Sequence, residues 1–320
     1  MSSSIRNRLG LSPLGYGSWE AGGGTTWGPN TSHEEVVAAV HRSVALGMNW
    51  VDTAEVYGGG GGAERVVGEA LRDLPQVGIC TKVAPEPDDE RYTEHGLRQA
   101  LELSLERLGR DRVDLYLLHW PAQRLPLEVT WKAMARLRDE GLVRAIGLSN
   151  YPVEDVARCA DLAAVDYVQI QASLLHREEL DAHGPLCAER NIGLLAYGPL
   201  AYGLLTGAVD EETVFDDWRG GEVMAHDFFC AENHPRFFAP RARRRHLSVV
   251  RALGPLAEQA GCTIAQLALA WLLRQPGVVA AAVGTRNPRH AETNAAAARL
   301  RLDDRTLAAI GSLEVGTAHG

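Results

Sequence analysis

The stretch VDLYLLHWPAQRLPLEVTWKAMARLRDEGLVRAIGLSN, residues 113–150, contains the pattern that decides the fold. It begins with a β-rich apolar run at 113–120 and ends with a second run at 143–150. The segment between the two runs repeats large apolar residues at helical spacing. These residues are Leu127, Trp131, Met134 and Leu137. A strand, an amphipathic helix and a second strand in this order predict a β–α–β unit with parallel strands.

The same alternation extends along the chain. Short β-rich runs that predict strands lie at 14–19, 48–53, 77–83, 113–120, 143–150, 166–172, 193–200 and 278–285. Glycines that can end a helix in the left-handed conformation follow several of the helical segments, as Gly47, Gly109, Gly141 and Gly261. Eight strands alternating with helices predict an α/β fold, a single-domain (β/α)8 or TIM barrel over residues 1–320. An open doubly wound sheet is the alternative.

Two segments interrupt this alternation. Residues 203–240, after the seventh strand, show no clean period but are rich in Phe and Trp, which predicts a long irregular loop that covers an active site. A disordered insertion would contain fewer aromatic residues. The glycine run 58–62 lies between the second strand and the next helix, at a loop tip. The chain has no GxxxxGK[ST] motif and no GxGxxG after the first strand, so a Rossmann-type site is not expected.

Composition restricts the class of partner. A net charge of −9 provides no broad attraction to nucleic acid or to anionic membranes, so a small molecule is the expected partner. The five cysteines are widely spaced and form no CxxC pair, which is typical of a reducing compartment. The N-terminal residues lack the apolar core of a signal peptide, and no long uncharged apolar run follows. We therefore expect a cytoplasmic protein.

Polar residues at the ends of the predicted strands indicate a catalytic site. Asp52 ends the second strand and Tyr57 follows it, while Lys82 and His119 end the third and fourth strands. Catalytic residues of such barrels come from the C-terminal ends of the strands, so these four side chains should converge. Each residue type alone most often has a structural role, but their order at successive strand ends favours a common site.

These four residue types suit the reduction of a carbonyl group. An ordinary tyrosine, with a pKa of about 10, is a weak acid at neutral pH. The ammonium group of Lys82 should lower the pKa of Tyr57, and Asp52 should keep that ammonium charged. His119 could hydrogen-bond the substrate oxygen. The sequence contains no HxH motif at a strand end, so we expect no metal and set aside a metal-dependent hydrolase.

The chain resembles the aldo-keto reductase family in four motifs. These are GMNWVDTAEVYG (47–58), ICTKV (79–83), VDLYLLHWP (113–121) and VRAIGLSNY (143–151). The stretches YGPLAYGLLTG (197–207) and AQLALAWLL (265–273) are similar to the bacterial members with a longer loop after the seventh strand. The resemblance implies a TIM barrel that reduces a small aldehyde or ketone with NADPH, with Asp52, Tyr57, Lys82 and His119 as the catalytic tetrad.

The resemblance also implies where the cofactor binds. Ser149, Asn150 and Gln171 would hold the nicotinamide carboxamide, and Tyr197 would stack on the nicotinamide ring. Further cofactor-binding positions are Gly198, Leu200, Gly284, Thr285, Arg286, His290 and Asn294. Arg286 beside a helix N-terminus suits a phosphate group, which favours NADPH over NADH. His290 and Thr293 depart from the residues common in the family. The expected walls of the substrate pocket are Trp19, Trp27 and Trp120.

Two other functions are compatible with the same barrel. A nucleotide-sugar enoyl or keto reductase of secondary metabolism would use the same cofactor, although His119 favours simple carbonyl reduction. A non-catalytic NADPH-binding regulatory subunit, similar to the potassium-channel β subunits, would not need the complete tetrad.

Overall fold

The computed structural model describes residues 7–27, 32–86, 88–221 and 228–315. Within these ranges, eight parallel strands form a closed barrel in chain order. They are β1 (Leu14–Gly17), β2 (Trp50–Asp52), β3 (Gly78–Val83), β4 (Val113–Leu118), β5 (Val143–Ser149), β6 (Tyr167–Gln171), β7 (Gly193–Tyr197) and β8 (Val278–Gly284). Each lies inside a predicted run. Because β1 pairs with β8, the TIM barrel prediction is confirmed and the open-sheet alternative is wrong.

Helices surround the barrel. Those in the described residues are α1 (Gly24–Trp27), α2 (His33–Ala45), α3 (Gly62–Ala70), α4 (Glu94–Leu108), α5 (Leu127–Asp139), α6 (Val153–Leu162), α7 (Glu178–Arg190), α8 (Phe228–Phe237), α9 (Pro240–Gln259), α10 (Ile264–Leu272), α11 (Pro288–Ala297) and α12 (Asp304–Gly311). Their ends follow local chemistry: Thr93 caps the start of α4, and Gly109 ends it in the left-handed conformation. Across the described ranges, we find no helix with the length and apolarity needed to cross a membrane.

Alternation along the strands divides the core into two clusters. Leu115 and Leu117 of β4 belong to a small cluster that contains residues from several strands, including Trp50, Cys80 and Tyr167. The intervening residues of β4 belong to the larger cluster, which includes the apolar faces of the surrounding helices. The small cluster therefore fills the inside of the barrel. Any residue two positions after one of its members shares the inward face and lies nearer the C-terminal mouth.

The segment 203–240 is more ordered than its sequence pattern predicts. It contains a 3₁₀ turn at Trp218–Gly220 and helix α8, whose period is obscured by Pro235 and by polar residues inside the helix. Residues 222–227 lie outside the described residues. Trp218 is fully buried, and its ring lies 5.1 Å from that of Tyr202. Aromatic packing therefore holds this segment against the mouth of the barrel.

Candidate active site

Asp52 and Lys82 form a buried ion pair at the C-terminal mouth. Asp52 lies two residues after Trp50 on β2, and Lys82 lies two residues after Cys80 on β3, so both share the inward face. The Lys82 ammonium donates to Asp52 Oδ1 at 2.9 Å and Oδ2 at 2.8 Å. It also donates to the carbonyl oxygen of Thr53 at 2.8 Å. Burial is the largest single effect and lowers the pKa of Lys82, but Asp52 together with Tyr57 and Cys80 outweighs it, so the pKa of Lys82 is raised.

Tyr57 lies next to this ion pair. The Lys82 ammonium donates to the Tyr57 hydroxyl at 3.3 Å. Burial nevertheless raises the pKa of Tyr57 to about 12, because it outweighs the opposing effect of the nearby ammonium. The expectation of a lowered pKa is therefore wrong for this structure. The sequence showed that Lys82 was near, but it did not show how far the phenol is withdrawn from solvent at the cavity wall.

His119 also lies next to Tyr57, with its ring centre 5.7 Å from that of the tyrosine. It stacks on Trp120 with the ring centres 3.6 Å apart. Burial, together with the positive charge of Lys82, holds the pKa of His119 well below 6.5. Its Nδ1 has no hydrogen-bond partner among the residues that the structure describes. His119 is therefore a neutral imidazole at the cavity wall at neutral pH.

One cavity of about 1250 Å³ joins most of the predicted site residues. The tetrad members in its wall are Asp52, Tyr57 and His119, whereas Lys82 is buried behind them. The predicted cofactor-binding residues in its wall are Ser149, Asn150, Tyr197, Gly198, Leu200, Gly284, Thr285, Arg286, His290 and Asn294. The predicted substrate-binding residues in its wall are Trp19, Trp27 and Trp120. The cavity thus extends from the tetrad to the N-terminus of α11.

Gln171 is the predicted site residue that the structure places elsewhere. Its side-chain amide donates to Tyr202 Oη at 2.6 Å and to Asn233 Oδ1 at 2.7 Å. Its carbonyl oxygen accepts from Arg236 at 3.0 Å, and the residue does not line the cavity. Gln171 therefore ties α8 to the end of β6, and its assignment to the carboxamide site does not fit this geometry.

Gln169 takes the position expected of Gln171. It lies two residues earlier on the same face of β6, lines the cavity, and donates from Nε2 to Asp52 Oδ1 at 2.7 Å. Sequence reasoning missed it. The available signal was Tyr167, because a residue two positions after this inward tyrosine lies level with Asp52 and Lys82.

Asn150 links the backbone of His119 to the side chain of Tyr197. It adopts a left-handed backbone with φ 61°, which asparagine tolerates better than most residues. Its side-chain amide donates to the carbonyl oxygen of His119 at 3.0 Å, and its Oδ1 accepts from the Tyr197 hydroxyl at 2.6 Å. This arrangement fixes the Tyr197 ring at the cavity wall, close to the tetrad.

The family model of the Aldo/keto reductase family matches residues 13–315. The chain belongs to this family. The reductase is 35% identical over 289 residues to the aldo-keto reductase YhdN of Bacillus subtilis, covering 88% of this chain and 83% of that protein. It is 29% identical to the NADH-specific methylglyoxal reductase of Escherichia coli over 92% of both chains.

A solved structure supports the same assignment. An aldo/keto reductase from Klebsiella pneumoniae in complex with NADP and acetate superposes on this reductase with a TM-score of 0.71 and 30% identity. The superposition covers 94% of this chain and 90% of the other. Together with the family match, it confirms the resemblance noted in the sequence motifs and identifies an oxidoreductase that acts on carbonyl and alcohol groups.

Proposed function

We propose that this reductase converts an aldehyde or ketone to an alcohol, with NADPH as hydride donor and Tyr57 as general acid. The observation that carries the proposal is the Lys82 ammonium, 2.8 Å from Asp52 and 3.3 Å from the Tyr57 hydroxyl. Tyr57 faces the cavity while Lys82 is buried behind it. A phenol held in this way can protonate a carbonyl oxygen as negative charge develops there.

The cavity fits an extended dinucleotide. A Cβ at Gly284 would come within 3.0 Å of the Gly17 carbonyl oxygen, so a side chain there would crowd the cavity wall. Arg286 lies just before α11 and lines the cavity, where its guanidinium group favours phosphate. Tyr197 offers a flat ring for a planar heterocycle. NADPH bound here supplies a hydride from its nicotinamide ring.

The choice of NADPH over NADH rests on Arg286 and on the Klebsiella reductase, which was solved with NADP. The E. coli relative is described as NADH-specific, so the family similarity does not decide the cofactor by itself. A guanidinium at the adenosine end of the cavity favours the cofactor that has the additional phosphate.

Each tetrad residue has a separate role in protonating the substrate oxygen. Tyr57 keeps its proton at neutral pH and donates it as the substrate oxygen becomes an alkoxide, which is a stronger base than a phenolate. Lys82 stabilises the resulting tyrosinate, and Asp52 keeps Lys82 charged. The neutral imidazole of His119 donates a hydrogen bond to the same oxygen.

A direct assay tests the proposal. We expect the purified protein to oxidise NADPH in the presence of 4-nitrobenzaldehyde and to form the alcohol in equal amount. A panel of aliphatic aldehydes, ketones and unsaturated nucleotide sugars distinguishes carbonyl reduction from double-bond reduction. Tight NADPH binding without turnover on any member of this panel would contradict the proposal and favour a regulatory subunit.

The two glutamines of β6 give a matched pair of variants. Gln169→Leu should weaken NADPH binding about tenfold, because it removes an amide at the cavity wall. Gln171→Leu should leave the NADPH dissociation constant within about twofold, since that amide bonds Tyr202 and Asn233 instead. Fluorescence titration with NADPH measures both. A larger loss of affinity in the Gln171 variant would show that the assignment of the two residues is reversed.

The state of His119 gives a prediction for pH dependence. Because burial holds its pKa well below 6.5, lowering the pH from about 8 to about 6.5 should not protonate it. We therefore expect kcat at saturating NADPH and aldehyde to show no loss attributable to His119 over this range. A decline with a midpoint near 6.5 that disappears in His119→Gln would contradict a neutral His119.

A further inference from the structure

Glu20 is an acidic side chain inside the proposed cofactor cavity. It lies in the 3₁₀ turn Trp19–Gly22 directly after β1 and lines the cavity together with Arg219 and Arg286. Its carboxylate reaches the end of β8, since Oε1 would lie only 3.2 Å from a Cβ built at Gly284. The side chain is half-buried, and the described residues provide its carboxylate with no hydrogen bond or salt bridge. Within the described part of the chain, this carboxylate thus has no direct partner at the cavity end proposed to hold the phosphate groups.

Among the described residues, three charged side chains act on the Glu20 carboxylate. Arg286 and Arg219 attract its carboxylate, while Asp217 repels it. Arg219 is already committed to Asp217, to which it donates from Nη2 at 2.5 Å and from Nε at 2.9 Å. Two carboxylates therefore face two guanidinium groups. When a phosphate group binds, the net charge of these side chains together with the phosphate becomes negative. Of the two acids, Glu20 is the one without a hydrogen bond or salt bridge in the described part of the chain.

The surroundings favour the loss of the negative charge of Glu20. Burial raises the pKa of its carboxyl group even though both guanidinium groups oppose that change. On the preceding strand β1, the buried Tyr16 phenol donates to the carbonyl oxygen of Thr285 at 2.8 Å and keeps its proton, because burial raises its pKa strongly. A further negative charge nearby would raise the pKa of Glu20 again.

We propose that Glu20 competes with the phosphate groups of the dinucleotide for Arg219 and Arg286, so that cofactor binding is accompanied by uptake of a proton from solvent by Glu20. This inference rests on the proposed function, because it assumes that the cavity holds NADPH. The proton is returned to solvent when the oxidised cofactor leaves. Affinity consequently rises as the pH falls, because the complex holds more protons than the free protein.

Titration calorimetry with NADPH in two buffers of different ionisation enthalpy tests the proposal. We expect wild-type protein to take up a fraction of a proton on binding near neutral pH, and Glu20→Gln to take up markedly less. The Glu20→Gln variant should also bind NADPH about tenfold more tightly at pH of about 8, with a smaller gain at about 6, since one pKa unit corresponds to a factor of ten.

Two further variants serve as controls. Glu102→Gln removes the same charge from an exposed position on α4 and should change neither affinity nor proton uptake. His290→Gln removes another titratable group from the cavity wall and should retain the proton uptake. Uptake that is lost in His290→Gln but kept in Glu20→Gln would overturn the proposal.

The possible failures are distinguishable. If wild-type protein binds NADPH without proton uptake, or if Glu20→Gln binds it no more tightly than wild type, Glu20 does not compete with phosphate although the cofactor site stands. If wild-type protein fails to bind NADPH at all, both the proposed function and this inference are wrong. The wild-type proton count requires no variant and therefore tests the proposal even if Glu20→Gln does not fold.

Discussion

Replacement of Tyr57 by Phe should lower kcat for aldehyde reduction by about a thousandfold, within the usual range for loss of a general acid. The substitution removes one oxygen atom and leaves the ring that contacts Trp19 and His119. Steady-state kinetics with 4-nitrobenzaldehyde and NADPH measures the effect. The reason is that the phenyl ring of the variant has no proton to deliver as the carbonyl oxygen gains negative charge.

Cofactor binding provides the control for this variant. The dissociation constant of NADPH should stay within about twofold, because the proton donor acts on the substrate and mainly in the transition state. A Tyr57→Phe enzyme that keeps more than about a tenth of the wild-type kcat would place the acid elsewhere. An equal loss of cofactor affinity would instead indicate that the Tyr57 hydroxyl contributes to cofactor binding.

Replacement of Lys82 by Met should have the largest combined effect on stability and activity. Lys82 is fully buried and donates to both oxygens of Asp52, so its removal leaves a buried carboxylate that keeps the hydrogen bond from Gln169 but loses its ionic partner. Removal of one partner of a buried ion pair lowers the free energy of unfolding by about 3 kcal/mol or more. Urea unfolding monitored by circular dichroism measures this loss, and activity should fall below detection.

A double variant separates the two effects. Asp52→Asn combined with Lys82→Met removes both charges, and such replacement of a buried pair is often nearly neutral for stability. We expect it to regain most of the lost unfolding free energy while remaining inactive, because Tyr57 still lacks the ammonium that stabilises tyrosinate. Recovery of activity in the double variant, or a double variant as unstable as Lys82→Met alone, would contradict this role of the pair.

The sequence predicted that the four proposed tetrad residues lie together, because each ends a predicted strand or follows one in the next loop. Strand ends follow from local apolar runs, and parallel strands in a barrel present their C-terminal ends at one mouth. This rule and the alternation of side chains along a strand were sufficient to predict the positions of Asp52 and Lys82. Alternation alone does not distinguish Gln169 from Gln171, since both share the inward face of β6; the depth along the strand, counted from the inward Tyr167, separates them.

Other features depend on contacts that no local pattern contains. The raised pKa of Tyr57 follows from its desolvation at the cavity wall, which depends on the packing of distant segments, so the sign of the shift could not be read from the proximity of Lys82. The position of Glu20 near Arg219 joins the turn after β1 to a segment almost two hundred residues later. Helix α8 was missed because its proline and polar residues disrupt the helical period.

A crystal structure of the protein with NADP and a carbonyl-containing inhibitor tests the central claim most directly. The account predicts that the inhibitor oxygen lies within hydrogen-bond distance of Tyr57 Oη, with the nicotinamide ring against Tyr197 and its carboxamide within reach of Ser149, Asn150 and Gln169. A nicotinamide ring bound away from the Tyr57 hydroxyl, so that hydride and proton could not reach the same carbonyl group, would contradict it.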